Sequence, residues 1–291
     1  MNVQLLVQVA VSGALAGGLF ALMAVGLSLT WGMLRVINLA HFGMILLGAY
    51  LTYELSGAAS VDPLLTLLLT VPLLFVVGAA IQWLFQASRI SEFNSLLVSF
   101  GILIVVVQLI TNQWTADFRQ ISADLNPYVR QSLRLGDWVL PLHHLVGFAF
   151  AAAISVGGYL ILERTFVGRA MRAFAQDRGI AAAFGIDHGR LALLLAGAAG
   201  ATAAVAGTLW AIANPLTPAQ GIEWIGIVFA IVIIGGIGNV LGTLVAGSLV
   251  LTLYSVVSLV WSPSLAPLVV FSAIVLTLVL RPRGLFARRG S

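Results

Sequence analysis

LLVQVAVSGALAGGLFALMAVGLSL (Leu5–Leu29) contains no charged residue. A helix needs about 20 predominantly apolar residues to cross the hydrocarbon layer of a bilayer, so this stretch predicts a membrane helix. It is too long for the h-region of a signal peptide and lacks a basic n-region before it, so it reads as a retained helix. Similar runs recur at Phe42–Leu55, Leu64–Phe85, Phe93–Thr111, Leu142–Leu162, Leu191–Ala213, Ile225–Ile234, Val240–Val260 and Leu265–Leu280. None alternates in the roughly ten-residue manner of barrel strands. The predicted fold class is all-α: a polytopic transmembrane helical bundle with eight to nine membrane segments. Phe42–Leu55 and Ile225–Ile234 are short and read as tilted, broken or re-entrant helices. Irregular backbone at membrane depth is tolerated where it lines a cavity or packs inside protein.

Composition excludes other classes. The 291 residues are 60% hydrophobic and 8% charged, with mean hydropathy +1.08. Soluble domains carry about 25% charged residues, so water cannot be the main solvent and a soluble enzyme is excluded. There is no cysteine, hence no disulfide framework or thiolate metal site. All fourteen basic residues are arginine. Without lysine there is no Walker A loop, so this chain does not hydrolyse ATP in that manner. His41, His143, His144 and His188 show no metal-ligand spacing, and no GxSxG, HExxH or carboxylate pair suggests an enzyme. Glu54 and Glu223 lie near span ends, and no acidic or histidine chain runs through the spans, which argues against an ion-coupled pump.

The basic pI of about 10.1 reflects membrane topology rather than nucleic-acid binding. If the segments around Arg35, Arg89, 163–190 and 281–291 share one side, that side holds eleven arginines against Arg119, Arg130 and Arg134 on the other. The positive-inside rule makes the rich side, with the C-terminus, cytoplasmic. Nine crossings place the N-terminus outside; eight, with one re-entrant segment, place it inside. The whole chain, 1–291, reads as one transmembrane domain. Residues 112–141 form an external loop, either a packed cap or binding surface or an ordinary loop. Residues 163–190 form a cytoplasmic helix–turn–helix with breaks near Gly179 and Gly185.

Three stretches stand out. In TWGMLRVINLAHFGMILLGAYL (Thr30–Leu51), Asn38 can satisfy backbone groups freed where a helix breaks, and His41 lies one turn on. Polar groups near membrane depth are costly and often functional, so Asn38 and His41 are candidates for the substrate path or its gate. A short loop with Trp31 and Arg35 as interfacial anchors is the plainer alternative. In IGGIGNVLGTLVAGSLVL (Ile234–Leu251), Gly235, Gly236, Gly238 and Asn239 interrupt a run too long for one span. Glycine permits unusual backbone angles and close helix contact, so this is a second candidate path segment, or simply a helix-packing motif. The two stretches echo one another faintly, as internal repeats do in transporters. In the segment from Glu163 to Asp187, Arg169 and Arg172 lie a turn apart, Asp177 follows, Ala181, Ala182 and Ala183 make a small-faced turn, and Gly185 and Ile186 close it. A short small-faced helix suits a partner's groove; an amphipathic helix on an anionic leaflet is the alternative.

At these stretches the chain resembles the permease subunits of branched-chain amino acid ABC importers, the LivH/LivM family, and the LivH type most. The resemblance rests on Gly32–His41 with Gly48-Ala49-Tyr50, on Gly168–Ala173 with Ala181-Ala182 and Gly185-Ile186, and on Gly235–Asn239 with Gly242. The tail, Arg281-Pro282-Arg283-Gly284-Leu285-Phe286, completes it. It covers essentially the whole chain and implies the ABC importer permease fold. It implies a subunit that moves branched-chain or other hydrophobic amino acids, or a related small solute, inward by alternating access in a bacterial inner membrane. The implied partners are a second, LivM-like permease, two cytoplasmic ATPases that bind ATP and Mg, and a periplasmic solute-binding protein. No cofactor is implied in this chain. Arg169, Arg172, Asp177, Ala181, Ala182, Gly185 and Ile186 fall in the implied ATPase-coupling region. Where the family commonly has Gly and an acidic residue after the His, this chain has Phe42 and Gly43, which opens the solute to urea, amides or aromatic acids. A stand-alone channel or secondary transporter for a small neutral solute is the competing reading.

Overall fold

Each of the nine predicted apolar runs is helical in the computed structural model, which describes residues 3–136, 138–281 and 284–286. Asp137, Pro282, Arg283, Arg288 and Arg289 lie outside the described residues, as do the side chains of Arg178 and Ala182. Helix α1 (Val3–Leu29) runs into a π-helical turn, Thr30–Leu34, and stops at Arg35, whose φ of 56° is left-handed. Then come α2 (Ala40–Ala59), α3 (Leu67–Ala87) and α4 (Glu92–Trp114). A short helix, α5 (Pro127–Arg130), precedes strands β1 (Ser132–Leu135) and β2 (Trp138–Pro141). Helices α6 (Leu142–Arg164), α7 (Phe166–Gln176), α8 (Arg178–Ala183), α9 (His188–Ala213), α10 (Gln220–Gly235), α11 (Val240–Val260) and α12 (Ala266–Leu280) complete the order.

Among the described residues, six helices are long and apolar enough to cross a membrane: α1 with its π turn, α3, α4, α6, α9 and α11. Helices α10 and α12, of 16 and 15 residues, are shorter than the roughly 20 that a perpendicular span needs. Helix α2, at 20 residues, outruns the predicted Phe42–Leu55. The predicted segment begins just after His41 and contains Glu54, and the structure partners both polar residues. His41 Nε2 donates to the Met23 carbonyl at 2.9 Å, and Glu54 accepts from Trp114 Nε1 at 2.8 Å. Residues from Ala40 to Leu46 are buried without a break. Surrounded by protein, α2 does not need the hydropathy that lipid contact demands.

Small residues set the helix spacing. A Cβ on Gly17 would fall 2.4 Å from the Gly247 carbonyl oxygen, and one on Gly207 2.2 Å from that of Ile45. These approaches bind α1 to α11 and α2 to α9. Without a hydrophobic force between helices in lipid, such backbone contact supplies much of the packing attraction.

Two details go beyond the expectations. A short hairpin accompanies the helices: β1 and β2 pair antiparallel, Ser132 opposite Pro141, around Gly136 at φ 62°. The break expected near Gly179 falls at Asp177, two residues earlier. Asp177 is extended and its carboxylate accepts from the Gly179 amide at 2.8 Å, so it caps α8, and Gly179 lies within that helix.

Residues 112–141 resolve into the end of α4 and a packed cap over that end of the bundle. Arg119 and Leu216 exchange backbone hydrogen bonds, Asn126 Nδ2 donates to the Ile212 carbonyl at 2.9 Å, and Ile121 is buried. The Tyr128 hydroxyl donates to the Asp62 carboxylate, 2.9 Å from Oδ2. Burial first, then the neighbouring Asp62, pushes the Tyr128 pKa up to about 12.

Candidate functional site

The first interruption spans Arg35–Leu39. Helix termini leave amides and carbonyls unpaired, and at this depth the protein must satisfy them. Asn38 Oδ1 accepts from the Ala40 amide at 3.1 Å, opening α2. Ser99 of α4 serves both sides of the gap: its Oγ accepts from the Leu39 amide at 2.9 Å and donates toward the Ile37 carbonyl at 3.2 Å. Asn38 is buried, and His41 is 1% exposed. The His41 ring lies where a Cβ on Gly26 would fall, 2.4 Å from Cε1. His41 therefore joins α2 to α1 inside the core.

The second interruption is the turn Gly236–Asn239 between α10 and α11. Gly236 and Gly238 take φ of 86° and 81°, which L side chains rarely adopt. Asn239 caps α11, its Oδ1 accepting from the Gly242 amide at 3.0 Å. A Cβ on Gly235 would meet Thr243 Cα at 2.8 Å, so the turn closes tightly on itself. The family-like tail docks here: the Leu285 amide donates to the Ile234 carbonyl at 2.9 Å, and Asn239 Nδ2 donates to the Phe286 carbonyl.

The two interruptions meet. A Cβ on Gly32 would lie 2.4 Å from Gly238 Cα, and the Gly238 amide donates to Ser28 Oγ at 3.0 Å. Among the described residues, the link runs through Ser28 and Gly32; no hydrogen bond joins Asn38 or His41 to 235–239. Beside it, Phe229 of α10 packs on Trp31 and on Phe42, with ring centroids 5.6 and 6.4 Å apart.

The α7–α8 segment rests on the same place. Thr165 caps α7 by accepting from the Gly168 amide at 3.1 Å. Gly168 lies so close to α6 that a Cβ would be 2.3 Å from the Leu162 carbonyl oxygen. Arg172 pairs with Glu163 at 2.7 Å. Met171, Phe174 and Ala181 then bury themselves against Leu34 of the π turn, Val240 at the start of α11, and Leu195 of α9. Ala181 packs inward, and Ile186 is half-buried against the same cluster. Arg169 and Gly185 are exposed. So are Phe166 and Phe184, at 73% and 82%. The sequence reading overlooked these aromatics, although an aromatic beside a helix-ending glycine in a polar segment was the available signal.

Residues 9–280 match the family described as branched-chain amino acid transport system, permease component. A probable branched-chain amino acid transport permease protein LivH of Methanocaldococcus jannaschii is 27% identical over 239 residues, covering 80% of this chain and 75% of that one. The high-affinity branched-chain amino acid transport system permease protein LivH of Escherichia coli K12 is 24% identical over 306 residues, covering 95% and 94%. The corresponding BraD of Pseudomonas aeruginosa is 24% identical over 299 residues, covering 96% and 94%. No solved structure matches the chain.

Proposed function

The chain belongs to the family of permease components of branched-chain amino acid transport systems, and on that premise we propose that it forms one half of the membrane pathway of a binding-protein-dependent ABC importer. Its solute is a branched-chain or other hydrophobic amino acid, or a related small solute. A second, LivM-like permease completes the pathway, two ATPases holding ATP and Mg²⁺ supply the energy, and a binding protein delivers the solute to the capped face. The α7–α8 end and the C-terminus are cytoplasmic, in line with the arginine asymmetry. The membrane segments number eight or nine, with α10 and α12 as the short ones.

One observation carries this reading. The buried cluster of Leu34, Met171, Phe174, Ala181 and Val240 joins α7 and α8 to both interruptions of the bundle. A push on α7 and α8 therefore reaches the π turn and the start of α11 together. Interiors are close-packed and have discrete arrangements, so a rigid segment seated on a bistable interruption is suited to transmit movement. The exposed Phe184, Gly185, Phe166 and Arg169 form the docking surface, while Met171, Phe174 and Ala181 pass the movement inward. Asn38, Gly235, Gly236, Gly238 and Asn239 shape the interruptions that flank the path, and His41 holds α2 in place. Phe42, stacked on Phe229 where the family commonly has glycine, narrows the space beside α10 and bears on which solute fits.

Reconstituted uptake tests the proposal. Proteoliposomes carrying the assembled importer should accumulate labelled leucine only with ATP in the lumen and binding protein outside. Uptake by this chain alone, without ATP, would show a channel or secondary transporter instead.

A further inference from the structure

Helix α10 begins inside the bundle, not at its outer end. A Cβ on Gly221, its second residue, would lie 3.5 Å from Val107 Cγ2 and 3.6 Å from Leu103 Cδ1, both in α4. Those residues precede Trp114, the last of α4, by seven and eleven positions. At about 1.5 Å per residue they stand roughly 10–17 Å in from the end of a helix long enough to cross the membrane. From there α10 runs toward the π turn, where Phe229 packs on Trp31. Glu223, which the sequence places near a span end, therefore lies near mid-membrane depth. It is exposed, and its carboxylate has no hydrogen bond or ion pair among the described residues. The free amides at the start of α10 offer it only a partial compensating charge, and an ionised group facing hydrocarbon remains costly. Water or a cation must meet it instead.

One turn further on, a Cβ on Gly226 would lie 2.8 Å from Phe271 Cζ of α12. The exposed ring of Phe271 is thus set close to the turn that carries the carboxylate, and it belongs to an open groove of about 520 Å³ that follows α12 from Leu268 to Val279. A space of that size admits an amino acid. A lone carboxylate one helical turn from an aromatic wall fits a ligand with a cationic head and a hydrophobic body.

We infer that Glu223 lines the water-filled path between the two halves of the importer and binds the ammonium of the amino acid in transit, whose side chain lies against Phe271. The step rests on the importer reading and names the head group that the path recognises. The carboxylate compensates a charge that would otherwise cross an apolar lining unpaired.

The chain has no cysteine, so single reporters can be placed in it. Ile222, exposed beside Glu223, marks the site, and Val76, exposed in the middle of α3, is the lipid-face control. In the assembled importer in nanodiscs, a membrane-impermeant sulfonated methanethiosulfonate should react with Ile222→Cys and not with Val76→Cys. Millimolar L-leucine or leucinamide, both carrying the ammonium, should slow that reaction about tenfold, and 4-methylpentanoate, without it, should not. Adding Glu223→Gln should remove the protection. An Ile222→Cys that fails to react places this face against lipid or protein and overturns the proposal. So do protection by none or by all of the three compounds, and protection that survives Glu223→Gln. If the double variant fails to assemble, the comparison of analogues on Ile222→Cys still decides. Ammonium-selective protection without ATP-driven uptake would remove the importer reading and leave the site; ATP-driven uptake with an unreactive Ile222→Cys would do the reverse.

Discussion

Gly32 and Gly238 touch backbone to backbone, with room for no Cβ between them: one added to Gly32 would sit 2.4 Å from Gly238 Cα. The contact joins the π turn that ends the first helix to the turn that opens α11, some 200 residues later. Neither side can give way easily, because Gly238 is held at positive φ and its amide is bonded to Ser28.

Gly32→Ala should therefore lower stability by about 1–3 kcal/mol, the usual penalty of overpacking a tight contact. Gly57→Ala, in α2 with nothing within 4 Å of its added Cβ, is the matched control, and it should be neutral or stabilising by up to about 1 kcal/mol. Thermal unfolding of the two detergent-solubilised variants checks the difference; equal shifts would contradict the contact.

Ser99→Ala should destabilise by about 1–3 kcal/mol, since it orphans a buried backbone group, the Leu39 amide, and a partly buried one, the Ile37 carbonyl. Hydrogen exchange should quicken at the Leu39 amide while the neighbouring amides of α4 stay protected. Unchanged protection at Leu39 would mean that Ser99 is not its partner.

Gly185→Trp and Phe184→Ala should each abolish or sharply weaken co-purification of the ATPases, while insertion of the chain into the membrane survives. Gly185 stands at φ 77° and faces open space, so the tryptophan adds both bulk and backbone strain at the docking surface. Arg172→Gln should cost little, about 1 kcal/mol or less, because the pair with Glu163 is partly solvated. Normal ATPase retention in both of the first two variants would place docking elsewhere.

Tyr128 supplies a pH test of the cap. Its folded pKa, pushed up to about 12 by burial and by Asp62, lies above the unfolded value of 10.0. A raised pKa means the folded state holds the proton more tightly, so this contribution is whole below pH 10 and is lost as pH climbs from there toward 12. Tyr128→Phe should flatten that part of the alkaline stability profile. A profile identical to that of the unaltered chain would deny the Asp62 contact a role.

Much of this was legible in the sequence because membranes write long apolar runs. Each of the nine apolar runs lies in a helix, and both interruptions follow from Gly and Asn set within or beside those runs. The start of α2 was not legible, since His41 finds its partner 18 residues away. The hairpin escaped notice because four-residue strands are too short to show a period. Asp177 as the α8 cap was available, since Asp is a favoured N-cap, but the nearby Gly179 drew the break toward itself. Nothing local announces that Gly32 and Gly238 meet, or that Ala181 faces inward. Those facts belong to tertiary packing.

The central claim is that α7 and α8 move the two interruptions through the buried cluster that holds Met171, Leu34 and Val240. The most direct measurement is the amount of ATP hydrolysed per solute taken up by importer proteoliposomes carrying Met171→Ala. Hydrolysis should persist while uptake falls about tenfold or more, raising the ratio accordingly. A ratio unchanged from that of the unaltered importer, with uptake and hydrolysis both intact or both reduced in proportion, would contradict the account.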